Sequence, residues 1–326
     1  MAAHCDSAAD SRHLIDVKVS PEKGLGLFAN ADIPRGTRII AEPALLGKNA
    51  DYTAKDVMKE FRSLSPTQQS RYLELHGYLS EDIKSQFEQE LGNKMQKLSA
   101  QHRKVLAIYA ANANGRIIYL HGSIFNHSCI PNVHYEHNSN LGMETFHAIH
   151  DIAAGEELTI TYIHGTYRTR NQRQAKLAKW GFLCTCPACV DTPAASKADL
   201  KRAQMFDLDK LIAAEYLFRD WESVRKSAQK MAALQRSVGL IGRDLSKAYA
   251  KVAWACYQLG DRRMELLWGT KVLDIDLFCL GPDNPHCVWL AGQVVDIVKA
   301  IRKEEAQETA PEPTSKESLD AAKQGS

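Results

Sequence analysis

Between Cys5 and Cys129 the chain has no cysteine, and it holds only eight in 326 residues. That density excludes a disulfide-stapled scaffold, and a chain of this length can bury a core without staples. Long apolar runs are missing too. No stretch reaches the ~18 residues of a membrane span. Met1 to Ser11 has no apolar segment of the kind a secretory leader carries, so none is expected. Charge of one sign is also lacking: 41 Lys plus Arg face 39 Asp plus Glu, for a net +2. A dedicated nucleic-acid or membrane binder would show a basic excess, so neither partner is expected. Apolar residues at 44% and charged residues at 25% leave an ordinary globular chain of about two domains.

The pattern of elements is uneven. Residues 1–11 read as a frayed tail. His13 to Val19 alternates, and Leu25–Ala29 and Thr37–Ala41 are short apolar runs between Gly and Pro, so residues 13–46 read as strands. A helical stretch follows. Ser65-Pro66 and Ser80 are helix starts, and Ile83, Phe87, Leu91, Met95 and Leu98 fall on one face of a single helix. Strand patterns return at 117–120, 133–135, 143–149 and 158–162, and residues 164–180 are basic and helical. Strands, a helical insert and more strands make an α+β order. A loose linker at 191–198 leads to helical patterning over 200–303. Its helix pairs are similar to tetratricopeptide stacking, and a plain helical bundle fits the same pattern. The polar residues 304–326 read as disordered.

The remaining cysteines sort into two kinds. Cys184-Thr-Cys186-Pro-Ala-Cys189 is C-x-C-x2-C, a spacing that lets three thiolates grip one Zn2+ without closing its tetrahedron. Cys129, in a polar Pro-containing motif, is the candidate fourth ligand. Cys256, Cys279 and Cys287 sit in apolar helical patterns and behave as small hydrophobes.

Four motifs in order carry a family resemblance. They are Lys23-Gly24-Leu25-Gly26-Leu27-Phe28-Ala29, Asn126-His127-Ser128-Cys129-Ile130-Pro131-Asn132, Gly155-Glu156-Glu157-Leu158-Thr159-Ile160-Thr161-Tyr162, and the cysteine triplet. Together they resemble the SET-domain protein lysine methyltransferases, of the SET-and-MYND branch and its fungal-type relatives. The resemblance implies a SET β fold with a pseudoknot over 12–163, a helical insert at about 50–112, a post-SET zinc segment at 164–190 and the helical region at 200–303. The cysteine-free first half departs from the branch, because it leaves no MYND zinc finger.

What the resemblance implies about chemistry is specific. S-adenosylmethionine would be the methyl donor and a lysine ε-amine of a protein the acceptor. Lys23, Gly24, Leu25 and Gly26 would cradle the methionine end of the cofactor. Asn126 would bind its amino-acid moiety, the His127 backbone its adenine, and Asn112 a further part, while Phe182 would pack on the adenine ring. Tyr162 would be the catalytic residue, orienting the methyl and the incoming amine. A free lysine has a pKa of about 10.4, so a desolvating channel and a neighbouring cation would have to favour the neutral amine. Trp180 stands in that channel where the branch has tyrosine. It offers an N–H donor and no acceptor oxygen, which bears on how many methyls fit. It also motivates the alternative of a silent SET scaffold acting through its C-terminal helices as a protein-binding surface. Methyl transfer to a non-protein amine is the other alternative. The expected location is intracellular, cytoplasmic or nuclear.

Overall fold

The computed structural model describes residues 10–47, 53–165 and 167–308. Cys5 and the tail residues 309–326 lie outside the described residues. In chain order come β1 (Ile15–Ser20), β2 (Gly24–Ala29), β3 (Arg38–Glu42), α1 (Ala54–Ser63), α2 (Pro66–Leu73), α3 (Glu81–Leu91) and α4 (Ala100–Asn112). Then follow β4 (Asn126–His127), β5 (Val133–Asn138), β6 (Met143–Ala148), β7 (Glu157–Ile160), α5 (Arg170–Leu177), α6 (Pro193–Leu217), α7 (Trp221–Ser237), α8 (Arg243–Gln258), α9 (Arg262–Leu280) and α10 (Pro285–Glu308).

Two small sheets hold the centre. One has the order β1-β2-β7-β4 and the other β3-β6-β5. In the first, β4 runs parallel to β7, with Asn126 opposite Thr159 and His127 opposite Ile160. The period of two along β7 buries Leu158 and Ile160 among Leu27, Ile40, Phe125 and Phe146, and turns Glu157 and Thr159 to the other face. Chain segments 101 residues apart, around Leu25 and Asn126, therefore meet in one sheet.

The insert has its own core. Val57, Phe61, Tyr72, Phe87, Leu106 and Ile108 pack together, and the buried Tyr72 hydroxyl donates to the Val105 carbonyl at 2.9 Å. Ser65 and Ser80 cap α2 and α3 as their sequences suggest. The long helix expected through Leu98 does not form. α3 stops at Leu91 because Gly92 takes φ +55°, and Met95 and Leu98 reach the same core from a turn instead. Ile117–Leu120 makes isolated bridges, Ile118 to Leu46 and Ile117 to Asn114, and no strand.

The C-terminal helices α6 to α10 stack antiparallel around Met205, Ile212, Tyr249, Val252, Cys256 and Ile275. Ile149, just after β6, enters that core and joins the helices to the sheet. Asp283 pins the far end, accepting from Asn138 Nδ2 at 3.2 Å and pairing with Arg38. Three boundaries move. Thr192 caps a helix that opens on Pro193, so most of the expected linker is helical. The last helix runs to Glu308, past the expected limit of 303. Asp10 and Ser11 are tied to β3, Asp10 by the Ala41 N–H at 3.1 Å and Ser11 by the Arg38 carbonyl at 3.1 Å. No described helix is long and apolar enough to cross a membrane.

Candidate active site

The edge between β2, β4 and β7 collects polar groups. Lys23 Nζ meets Glu157 Oε2 at 2.8 Å, and Asn126 Nδ2 donates to Glu157 Oε1 at 2.8 Å and to the Leu25 carbonyl at 3.0 Å. Gly26 lies flat against them. A Cβ there would stand 2.8 Å from Glu157 Oε1 and 2.9 Å from Asn126 Nδ2, so only glycine lets this backbone approach so closely. Gly24, at φ +82°, turns the chain into that approach after Lys23.

Beside Phe125, which precedes β4, and Ile160, which ends β7, lies a cavity of about 90 Å³ lined by Tyr119, Phe125, Tyr135, Phe146, Tyr162 and Trp180. Tyr162 follows β7. Its hydroxyl donates to the Phe125 carbonyl at 2.5 Å and its backbone N–H to His127 Nδ1 at 3.0 Å. Burial raises its pKa above the ordinary range, so it acts as a neutral hydroxyl. The Trp180 ring tilts against it at 5.3 Å, and Phe182 meets it edge-on at 6.4 Å. Trp180 is fixed by its Nε1, which donates to the Ala111 carbonyl at 2.9 Å. Asn112 also lines the cavity, but its Nδ2 is engaged by the carbonyls of His76 and Ile108, both at 2.7 Å.

His127 ties this cavity to the cysteines. Because Nδ1 accepts from Tyr162, the ring proton belongs on Nε2, which faces Cys129 Sγ at 3.3 Å. Burial pushes the ring down to about 4, so the imidazole is neutral. Ser128 closes a local turn, bonded through Oγ to the Ile130 carbonyl and N–H, and has no general base beside it. Asn132 does more than cap a turn. It clamps β7, accepting from Thr159 N at 2.7 Å and donating to the Glu157 carbonyl at 2.9 Å.

Cys129, Cys184, Cys186 and Cys189 converge, with all four sulfurs within 4.8 Å of one another and all four residues buried. Cys129 and Cys189 Sγ are 3.6 Å apart. Tetrahedral Zn–S bonds of about 2.3 Å place sulfurs about 3.8 Å apart, so the donor set fits one such ion. Cys256, Cys279 and Cys287 are buried elsewhere, in the helical core.

With this geometry in place, the comparisons say what the chain is similar to. Residues 24–163 match the SET-domain family. The chain carries a SET domain. The histone-lysine N-methyltransferase set5 of Schizosaccharomyces pombe is 32% identical over 196 residues, covering 59% of this chain and 56% of the relative. A putative SET domain-containing protein of Acanthamoeba polyphaga mimivirus, L678, is 28% identical over 196 residues, covering 52% of this chain and 74% of the relative. The chain thus spans little more than half the length of the fission-yeast relative. The solved SET domain of LSMT bound to lysine and AdoHcy aligns over 89% of both chains, at 14% identity and a TM-score of 0.38, too loose to bear on function.

Two residues of this SET domain and its cysteine segment escape sequence reasoning. Glu157 was visible in the Glu-Glu-Leu motif, but its partners Lys23 and Asn126 are 134 and 31 residues away. Arg173 is fully buried, although the basic run around it reads as a solvated helix face. Its Nε lies 3.2 Å from Cys129 Sγ and its Nη2 3.4 Å from Cys189 Sγ, while Nη1 pairs with Asp199 at 3.2 Å. A guanidinium in that place offsets the negative charge that four thiolates would bring.

Proposed function

We propose that the chain is an S-adenosylmethionine-dependent protein-lysine N-methyltransferase. The observation that carries this reading is Tyr162, whose half-buried hydroxyl faces an aromatic cavity and whose backbone N–H is tied to His127, next to Asn126. The residues fit such a cofactor. Gly26 lets the backbone lie close to Glu157 and Asn126, Lys23 would turn from Glu157 to the cofactor's carboxylate, and Asn126 would offer its amide to the amino-acid end. Phe182 and the His127 backbone would pack against the adenine. Asn112 is assigned the lesser part of shaping the cavity wall, since its amide is spent on two carbonyls.

When bound, the cofactor supplies an electrophilic methyl group on a sulfonium. The chain's own part is orientation and exclusion of water. Tyr162 and the Phe125 carbonyl that fixes it set the position of the amine, and carbonyl oxygens can hold a methyl by C–H···O contacts. The walls Tyr119, Tyr135 and Trp180 strip water from the lysine and favour its neutral form. Trp180 narrows the space beside Tyr162 at 5.3 Å, which favours transfer of few methyl groups.

The four cysteines would hold one structural Zn2+, with Cys129 anchoring the Asn126-His127 strand and the triplet anchoring Trp180 and Phe182. Such a site needs reduced thiols, which suits a nuclear or cytoplasmic location. A protein lysine is the proposed substrate, and the fission-yeast relative's name motivates trying histones first. The test is radiolabelled methyl transfer to histones and to a lysate. Tyr162→Phe should bind the cofactor as the wild type does and lose methyl transfer on the order of 10²-fold. A fully active Tyr162→Phe would refute the assignment.

A further inference from the structure

Arg173, fully buried on α5, uses every edge of its guanidinium. Nε donates to Cys129 Sγ at 3.2 Å and Nη2 to Cys189 Sγ at 3.4 Å. Nη2 also donates to the Ala188 carbonyl at 2.8 Å. Nη1 donates to the Arg168 carbonyl and, at 3.2 Å, to Asp199 Oδ1. Asp199 belongs to α6, the first of the C-terminal helices. The same Oδ1 accepts from the Arg170 N–H at 2.6 Å, the first N–H of α5. A helix start leaves such N–H groups without intrahelical partners, so α6 completes α5 from outside. The contacts continue inward. Cys129 Sγ faces His127 Nε2 at 3.3 Å, and His127 Nδ1 accepts from the Tyr162 N–H at 3.0 Å.

We propose that Asp199 and Arg173 are a positioning pair for the cysteine site, so that a helix of the C-terminal region sets how tightly the four cysteines hold their metal. This rests on reading those cysteines as a zinc site. Four thiolates around one Zn2+ leave an excess of negative charge in a buried place. A donor aimed at a ligating sulfur draws off part of that charge and fixes the sulfur's direction, and such outer partners are worth about 10–100-fold in metal affinity. The guanidinium is planar, so holding Nη1 on Asp199 fixes where Nε and Nη2 point. Without Asp199 the plane turns, and the sulfurs lose aligned donors. A lysine at this place carries the charge at a single point and does not span two sulfurs and a carboxylate.

Charge alone and aim leave opposite signatures. If only the positive charge of Arg173 counted, the Asp199 carboxylate would work against it, because a negative group near thiolates repels them. Removing Asp199 would then tighten zinc binding. If aim counts, removing Asp199 weakens it. Asp199 is well placed for such a substitution. Its side chain is 26% exposed, and it lies inside α6, where alanine favours the helix.

The test is the zinc affinity of the full chain, read by competition with a chromophoric chelator under reducing conditions. Asp199→Ala should weaken zinc binding about 10-fold, and Arg173→Lys and Arg173→Met about 10–100-fold. Asp199→Ala combined with Arg173→Met should bind no more weakly than Arg173→Met alone, since Asp199 acts through the arginine. Hydrogen exchange gives a second readout. On removal of zinc, the first turns of α6 around Asp199 should lose protection together with residues 164–190, while α7 to α10 keep theirs. Zinc affinity unchanged or raised in Asp199→Ala would overturn the pair, as would wild-type affinity in Arg173→Lys. A wild type that binds no zinc would instead remove the metal reading, and the positioning pair with it.

Discussion

The helical insert at 53–112 and the cysteine segment at 164–190 both flank the same cavity, yet they are held together by opposite means. The insert buries Val57, Phe61, Tyr72, Phe87, Val105, Leu106 and Ile108 in a core of its own. The cysteine segment buries Leu177 and Ala188 among its three thiols, with Ile163 and Cys129 joining from outside it. A buried Leu or Ile contributes about 1.5–3 kcal/mol, and the segment has fewer such residues for its length than the insert has. The segment that carries Trp180 and Phe182 thus leans on the converged sulfurs and Arg173 besides apolar burial.

The largest effect follows from breaking that completion. Stripping the metal with a chelator, or Cys184→Ser, should remove on the order of 10 kcal/mol of local ordering. Hydrogen exchange should show residues 164–190 losing protection while α1 to α4 keep theirs. Bound zinc should fall from about one per chain to none, and cofactor affinity should fall with it. If the insert lost protection equally, the two regions would be one cooperative unit and the contrast would be wrong.

The converse perturbation is smaller. Phe61, 3% exposed and tilted against Tyr72 at 5.3 Å, anchors the insert core. Phe61→Ala should cost about 3–5 kcal/mol by chemical denaturation. Its zinc content should stay at the wild-type level. Loss of the metal in this variant would show that the cysteine segment leans on the insert for more than a wall.

How far the sequence reveals this arrangement depends on whether a signal is local. Most of the strand alternation and the Ser65 and Ser80 caps are local, and the structure places them as the chain suggests, the 117–120 run excepted. Thr192-Pro193 was a legible helix start hidden by the small polar residues after it. Gly92 shows the reverse failure: an unbroken apolar spacing conceals a positive-φ break. The side chains of the motifs could be named from the sequence, but their partners could not. Lys23 with Glu157 and Arg173 with Cys129 are pairs that exist only through sheet register and chain crossing. A buried arginine is the hardest to foresee, since its composition signal is that of a solvated helix.

The two regions touch at one seam, and the smallest predicted effect tests it. Trp180 donates from Nε1 to the Ala111 carbonyl, and Gly181 follows at φ +77° with its missing Cβ only 2.5 Å from the Tyr78 ring. Among the described residues the seam thus joins the segment of the proposed metal site to a self-standing core through the Trp180 hydrogen bond and a close aromatic approach. Trp180→Phe keeps an aromatic wall and removes the N–H, leaving the Ala111 carbonyl without that donor. The stability cost should be about 1 kcal/mol. The kinetic consequence should be distinct from that of Tyr162→Phe: a wider cavity beside the hydroxyl lets an already methylated amine turn. Mass spectrometry of a lysine peptide should then show a higher share of di- and trimethylated product at equal turnover. An unchanged product ratio would mean that the wall facing Tyr162 is set by the insert, and that the seam holds position without setting specificity.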